Sequence, residues 1–360
     1  MRFRFQMMNS IWVYRLYDVA EEIRLEQVEK ILAREHHTSR ARLSRVKPKS
    51  VQFKNPPVAV ELGEYPVTIG RQSVKTTFAG KIYDLGVICI IMRVPLPVSA
   101  SYEEIKNLAV DLYNDENIET SFVRMLDIIR KAIAGALVKE DYNGFIEDFT
   151  VYYFQKWDQD WDPVPLLLAE QEPVSEQVRR ETLRNSFSYG LDDLAIITWD
   201  SALVYDPTGS TDIPDLLEFA NSQLLELRYY DNLLTGEMEK MYNAIEEAEK
   251  TASIRRLGRY RRIMNQLTEL IADVTEITER IDNSLKVTED VFYARIYGTA
   301  LSIFRTKAWE ESINRKINII TQSYTMLSNR IINQRSEILE LTIIILIMLE
   351  VVLGVLGVMK

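Results

Sequence analysis

From residue 211 onward, apolar side chains recur at alternating intervals of four and three. One segment carries Ile213, Leu217, Ala220, Leu224 and Leu227. A second carries Ile263, Leu267, Leu270, Val274, Ile277 and Ile281, and a third Ile313, Ile317, Ile320, Tyr324, Leu327, Ile331, Gln334, Ile338 and Leu341. Sustained four-three spacing is the coiled-coil pattern, so three long helices are predicted. The first opens at Thr211-Asp212-Ile213-Pro214, a capping side chain followed by proline in the first turn. Turn signals over Glu249–Ser253 join the first helix to the second; a less regular stretch, Val287–Phe304 with Gly298, joins the second to the third. Short connections make such neighbours antiparallel. Gln334 alone breaks the third stripe, and a lone polar seam residue sets register.

The third stripe continues in phase through Ile345, Met348, Val352 and Val355. Leu341–Met359 is a run of 19 residues whose one charge is Glu350. At about 1.5 Å per residue it would reach about 28 Å, close to a hydrocarbon core. The pattern therefore predicts one C-terminal transmembrane helix, a single-pass tail anchor with the N-terminal bulk facing the cytoplasm. An ionised Glu350 in mid-span would cost several kcal/mol. Three readings follow: a contact between anchors in an oligomer, a pore or relay, or a protonated residue tolerated in lipid. If the third helix ends at the bilayer, the second begins there. Arg255, Arg256, Arg259, Arg261 and Arg262, with Arg330 and Arg335, would then face the lipid surface. Each would add about 1 kcal/mol near anionic lipid, on the cytoplasmic side that arginines mark. RNA contact and a solvated helical face are the other readings.

Residues 1–206 change rhythm. Ile11–Tyr17 alternates as a strand does, and Val19–Leu32 has the period of an amphipathic helix. Val51–Leu96 is rich in β-branched residues, glycine and proline, as in a small antiparallel sheet. Helices are expected at Tyr102–Tyr113 and Ile118–Leu137, a strand at Phe149–Phe154, a connector from Pro163 to Pro173, and one or two strands over Leu194–Tyr205. The predicted class is an α+β domain (1–206), then a bundle of long antiparallel coiled-coil-like helices (207–340), then the anchor (341–359).

Composition narrows the chemistry. A net charge of -10 argues against bulk nucleic-acid binding. The lone cysteine, Cys89, excludes an internal disulfide framework and reads as a small buried hydrophobe in Gly86–Ile91. Arg40, Arg42, Arg45, Lys47, Lys49 and Lys54 form a basic run, a candidate contact for RNA phosphates or a solvated loop. His36-His37 lacks the further ligands a metal needs. Asp158-Gln-Asp160-Trp-Asp162-Pro163 resembles a calcium loop, but proline stands where its glycine belongs. Nucleotide-cradling GxxxxGK[ST] and GxGxxG, zinc-binding HExxH and CxxC pairs are all absent, and two histidines leave few general bases. No enzyme and no cofactor is indicated.

Several short segments resemble the family named "required for meiotic nuclear division". They are Ile82-Tyr83-Asp84-Leu85-Gly86-Val87, Arg93-Val94-Pro95-Leu96, Asp193–Asp200, Leu217–Asn221 and Leu224–Asp231, with the isoleucine-rich C-terminal helix. The resemblance implies a membrane-associated oligomer. Mitochondrial members face the matrix and support translation, which makes a ribosome- or RNA-linked partner an expectation. No catalytic residue carries over. Glu218, Asn221, Arg228, Tyr229, Tyr230 and Asp231 form the densest polar cluster in the resembling region, read as a structural network or as a ligand or partner site. The functional expectation is an oligomeric, membrane-anchored scaffold or assembly factor, supporting translation at the membrane as the resemblance implies; the alternative is a CorA-like oligomeric ion channel or a transport accessory protein.

Overall fold

The computed structural model describes residues 9–35, 44–45, 56–115, 117–140, 144–250, 253–284 and 290–358, with side chains for all but 33–35, 44–45, 253–255, 273, 276–284 and 353–358. The basic run Arg40–Lys54, apart from the backbone of Arg45, lies outside the described residues, as do His36 and His37. The chain divides into two compact units: Met1–Tyr229 with Asp282–Lys307, and Tyr230–Ile281 with Ala308–Lys360.

The first unit is built on a mixed sheet. Its strands are β1 (Ser10–Asp18), β4 (Val58–Ile69), β5 (Gln72–Ile82), β6 (Val87–Pro95), β8 (Ile146–Phe154), β9 (Ser186–Phe187), β10 (Leu194–Ile197) and β11 (Ser201–Tyr205). A two-residue strand, β3 (Ser44–Arg45), adds to one edge, giving the order β3-β4-β5-β6-β1-β8-β11-β10-β9. A small separate ladder pairs β2 (Ala20–Ile23) with β7 (Leu137–Glu140). Neighbours are antiparallel except β8 and β11, which run parallel. The centre is apolar on both faces: seven of the nine β6 residues, VICIIMRVP, are buried. A strand covered on both sides reads as one hydrophobic run rather than as alternation.

Alternate residues of β1 sort the two faces. Ile11, Val13 and Tyr17 join Ile88, Ile90, Met92 and Phe78 in one core. That core is covered by α1 (Leu25–Glu35), α2 (Tyr102–Asn114), α3 (Ile118–Ile133) and α4 (Pro163–Leu168), through residues such as Val28, Ile105, Phe122 and Leu166. A further short helix, α5 (Glu176–Thr182), leads into β9. The opposite face carries Trp12, Tyr14 and Leu16 of β1, Cys89 and Ile91 of β6, and Phe149 of β8. There α6 (Asp212–Glu249) and α8 (Val291–Ile303) pack: Phe219 stacks on Tyr297, and Phe149 meets Phe304 edge-on at 5.8 Å between centroids.

Three expectations fail locally. The connector at Pro163 is α4, capped by Asp162 with proline in its first turn. The irregular stretch at Gly298 is α8, capped by Asp290. Val19–Leu32 is also not one helix; it divides into β2 and α1.

The second unit is a three-helix assembly of α6 from Tyr230, α7 (Ser253–Ser284) to Ile281, and α9 (Thr306–Val358) from Ala308. Its buried seam is Leu234, Met241, Ile245 and Ala248 against Tyr260, Ile263, Leu267 and Val274, with Ile313, Ile320, Leu327 and Ile331. Ile277 and Ile281 of the expected second stripe lie outside the described side chains.

The expected transmembrane helix and tail anchor are corrected. Among the described residues, no helix is long and apolar enough to cross a membrane. The described apolar stretch of α9, Leu341–Val352, is twelve residues and reaches about 18 Å against a core of about 30 Å. Arg335, Glu337 and Glu340 precede it and Glu350 interrupts it. Residues 353–359 of the expected span lie outside the described side chains. The single-pass topology with the bulk facing the cytoplasm loses its support with it.

Two glycines give opposite predictions. Gly86 has φ +98°, and a Cβ there would meet the Ala20 carbonyl oxygen at 1.7 Å. Gly86→Ala should cost at least about 2 kcal/mol in guanidinium unfolding, from left-handed strain plus a backbone collision. Gly298 lies inside α8 with open space around its Cα. Gly298→Ala should stabilise by about 0.5–1 kcal/mol, the helix-propensity difference.

Candidate functional site

The densest buried polar constellation surrounds Lys81. It sits near the end of β5, opposite Cys89 of β6. Its ammonium donates to Asp215 Oδ1 at 2.7 Å and to Glu218 of the same helix, α6. Tyr83 Oη donates to the other oxygen of Glu218 at 3.0 Å, and Thr211 Oγ1 donates to Asp215 Oδ2 at 3.0 Å. Asp215 and Glu218 are three apart and share a helix face. Side-chain exposure of Lys81, Asp215 and Glu218 is 7%, 11% and 0%.

Burial dictates the protonation chemistry. Desolvation pulls Lys81 down, but Asp215 and Glu218 outweigh it, so the ammonium holds its proton above the ordinary lysine value. Desolvation raises Glu218, with Lys81 opposing part of the rise. Tyr83, Tyr14 and Cys89 are pushed up first by burial and next by the Glu218 charge. Tyr14 Oη is buried and makes no hydrogen bond among the described residues. Neither the cavity lined by Trp157 and Trp161 nor the one lined by Leu112 and Ser201 includes any of these groups. What this arrangement does is fix the first turns of α6 on the sheet.

The six polar residues expected to cluster on α6 do not converge. Glu218 belongs to the Lys81 group. Asn221 Nδ2 donates to the Leu217 carbonyl at 2.9 Å, within its own helix. Arg228 pairs with Glu147 at the start of β8. Tyr229 lies edge-on to Phe145. Tyr230 is buried, and Asp231 accepts from Lys316 of α9 at 2.7 Å, both within the second unit. Sequence reasoning missed Lys81 and Asp215, whose pairing spans 134 positions.

The arginines gather near the turn between α6 and α7. Arg330 pairs with Glu249 and approaches Tyr260 Oη at 3.5 Å. Arg259 donates to the Glu247 carbonyl at 3.4 Å. Arg256 is half-buried, Arg261, Arg262 and Arg335 are exposed, and Arg255 lies outside the described side chains. Past Ile331 no described residue of α9 is buried. From Leu341 to Val352, every aliphatic side chain is at least half exposed, on all sides of the helix. Glu350, expected inside a bilayer, is exposed on this stretch. Gln334, at the boundary, has its Oε1 buried without a hydrogen-bond partner among the described residues. In the Asp158 loop, Asp162 caps α4 and pairs with Arg179, and among the described residues no cluster of three or more His, Cys, Asp or Glu side chains is placed to hold a metal ion.

The buried protons generate an alkaline limit. Cys89, Tyr14, Tyr83 and Lys81 hold protons in the fold that an unfolded chain releases around 9.0, 10.0 and 10.5. The native state therefore binds more protons above pH 9.0, and stability falls as pH rises through that range. Guanidinium midpoints should hold level from neutrality and then drop, with a shallower drop in Tyr83→Phe. Tyr14→Phe, which removes an unsatisfied buried hydroxyl, should be neutral or stabilising by about 1 kcal/mol. A destabilised Tyr14→Phe would mean that the hydroxyl has a partner.

Residues 8–211 match the model of a family described as "Uncharacterized protein MJ0711, N-terminal domain". "Uncharacterized protein MJ0711" from Methanocaldococcus jannaschii is 24% identical over 264 residues, covering 69% of this chain and 79% of that protein. No solved structure matches. These findings overturn the resemblance to the meiotic nuclear division family. Its segments Ile82–Val87 and Asp193–Asp200 coincide with a turn and a buried strand, where packing alone favours such residues. The expectation of a translation role was drawn from that resemblance alone. The matched residues run from the start of β1 to the threshold of α6, more than half of the sequence, and the chain belongs to the MJ0711 N-terminal domain family.

Proposed function

We propose that this protein is an oligomeric scaffold whose copies associate through the apolar end of α9. The observation that carries the reading is the exposure of Leu341, Ile343–Leu349, Val351 and Val352, each at least half open to solvent. Monomeric proteins rarely leave so continuous an apolar surface uncovered. The occupant we favour is the same helix in another copy. Ile338, Leu341, Ile345, Met348 and Val352 prolong the four-three seam that α9 already uses at Ile320, Leu327 and Ile331. A helix that enters one coiled-coil-like seam can enter a second in phase with it. Burying one such side chain fully is worth about 1.5–3 kcal/mol, and ten are on offer. Association costs about 4–15 kcal/mol, so partial burial in a pair is enough to offset it.

The reading assigns no catalysis to the chain. Lys81, Asp215 and Glu218 form a closed support, and the Arg330–Glu249 pair secures α9 beside the α6–α7 turn before the seam becomes exposed.

Sedimentation velocity on the full chain should show a species larger than one copy. Ile345→Lys with Met348→Lys should shift it to the monomer while circular dichroism still reports folded helices. Ile345→Cys should yield a disulfide-linked dimer under mild oxidation, because aligned Cα atoms of paired helices come within bridging range and the one native thiol, Cys89, is buried. A monomeric wild type sinks the proposal. So does a wild type that stays monomeric in detergent and floats with vesicles, since lipid would then be the cover.

A further inference from the structure

A cavity of about 800 Å³ opens at one end of the central strands. Its wall is made where the chain enters β1 (Asn9), leaves β6 (Leu96), leaves β8 (Gln155 to Trp161) and leaves β11 (Pro207). β8 and β11 are the parallel pair, and both deliver their carboxyl ends here. Crevices outside the carboxyl ends of parallel strands are where open sheets bind ligands. The volume suits a small organic molecule.

The wall is preorganised. Asn9 Oδ1 accepts the amides of Gln155 and Lys156 at 3.0 and 3.1 Å, and Asn9 Nδ2 donates to the Lys156 carbonyl at 2.9 Å. Trp157 stands edge-on to Phe154 at 4.9 Å and to Trp161 at 5.4 Å, and Trp161 packs near Tyr102 at 5.9 Å. Both indoles line the cavity, half-buried, and neither indole N–H is used by a protein acceptor among the described residues. Two carboxylates, Asp158 and Asp160, lie between the indoles in sequence and on the same wall, against one cation, Lys156. None of the three forms an ion pair among the described residues.

We propose that this cavity binds a small organic cation, an ammonium or amidinium carried on an apolar or aromatic body. Tryptophan is the best ring for holding a cation over its face. The excess carboxylate supplies the counter-charge, and Leu96, Val98 and Pro207 take the apolar body. The inference is independent of the α9 reading, because every lining residue falls within 9–207, in the first unit.

Phenyltrimethylammonium titrated into the full-length protein should quench indole fluorescence saturably, and benzoate should not. Trp161→Leu should weaken the cation by roughly tenfold, the worth of one cation–π contact at a partly desolvated site. Asp158→Asn with Asp160→Asn should weaken it comparably, since asparagine can still accept the Asp160-position amide that fixes the turn. Glu103→Gln, an exposed carboxylate outside the cavity, should change nothing. Equal binding of benzoate, no saturation, or unchanged affinity in the double asparagine variant each overturns the proposal. Thermal melts of each variant separate lost binding from lost folding.

Discussion

Lys81 enters a sheet face on which Trp12, Tyr14, Leu16, Cys89 and Ile91 are all buried, so its ammonium must carry counter-ions with it. Leaving one charge alone there would cost several kcal/mol. Both counter-ions come from the first turns of α6, at Asp215 and Glu218, and that requirement fixes where the helix lands. Tyr83 and Thr211 satisfy the remaining oxygens, one on each carboxylate. Phe219, next to Glu218, is then placed to stack on Tyr83 and on Tyr297 of α8. Once α6 is fixed, α8 has an aromatic surface to close against. The buried charges do not add much net stability, because desolvation cancels most of the attraction. Their effect is specificity: another register of α6 on this sheet would strand Lys81.

How far this was legible depends on the range of each interaction. β1 and β6 announce themselves locally, by alternation at Ile11–Tyr17 and by the unbroken run from Val87. The seam of the second unit is equally local, because a four-three stripe records which side of a helix will be covered. Lys81 is the opposite case. Nothing near it in sequence distinguishes it from a solvated lysine on a strand edge, and its partners arrive more than 130 positions later. Glu218 stands out in sequence as one of the polar cluster at 218–231, but its partners Lys81 and Tyr83 come from the sheet and not from that cluster.

The missed helices have a common cause. α4 and α8 are apolar on most sides, so neither shows a period. Pro163 in particular suggested a connector, yet the Asp162-Pro163 pair is a helix start that capping chemistry would have found. The transmembrane reading erred through the inverse logic. Leu341–Met359 has the length of a span, with Glu350 as its one charge, but Arg335, Glu337 and Glu340 stand close before it. A stripe that had just served as a bundle seam was reassigned to lipid where the seam ended.

The exposed end of α9 and the buried Lys81 cluster pose the same problem in opposite solvents. A charge in an apolar interior and an apolar helix in water are each unfavourable alone, and each is resolved by a partner of matching chemistry. Lys81 finds its partners within the chain. For α9 the described part of the chain offers none past Ile331, although the seam keeps its phase. Arg330 and Glu249 mark the change: below them the apolar stripe is satisfied by α6 and α7, and beyond them it is satisfied only if a further surface arrives. Because Gln334 sits at that boundary with an unsatisfied oxygen, the arriving surface must do more than exclude water there; it must also offer a hydrogen-bond donor. A second copy of α9 brings one in the amide of its own Gln334. In the proposed pair Gln334 would then determine register, in the way a polar seam position selects one alignment of paired helices over its neighbours.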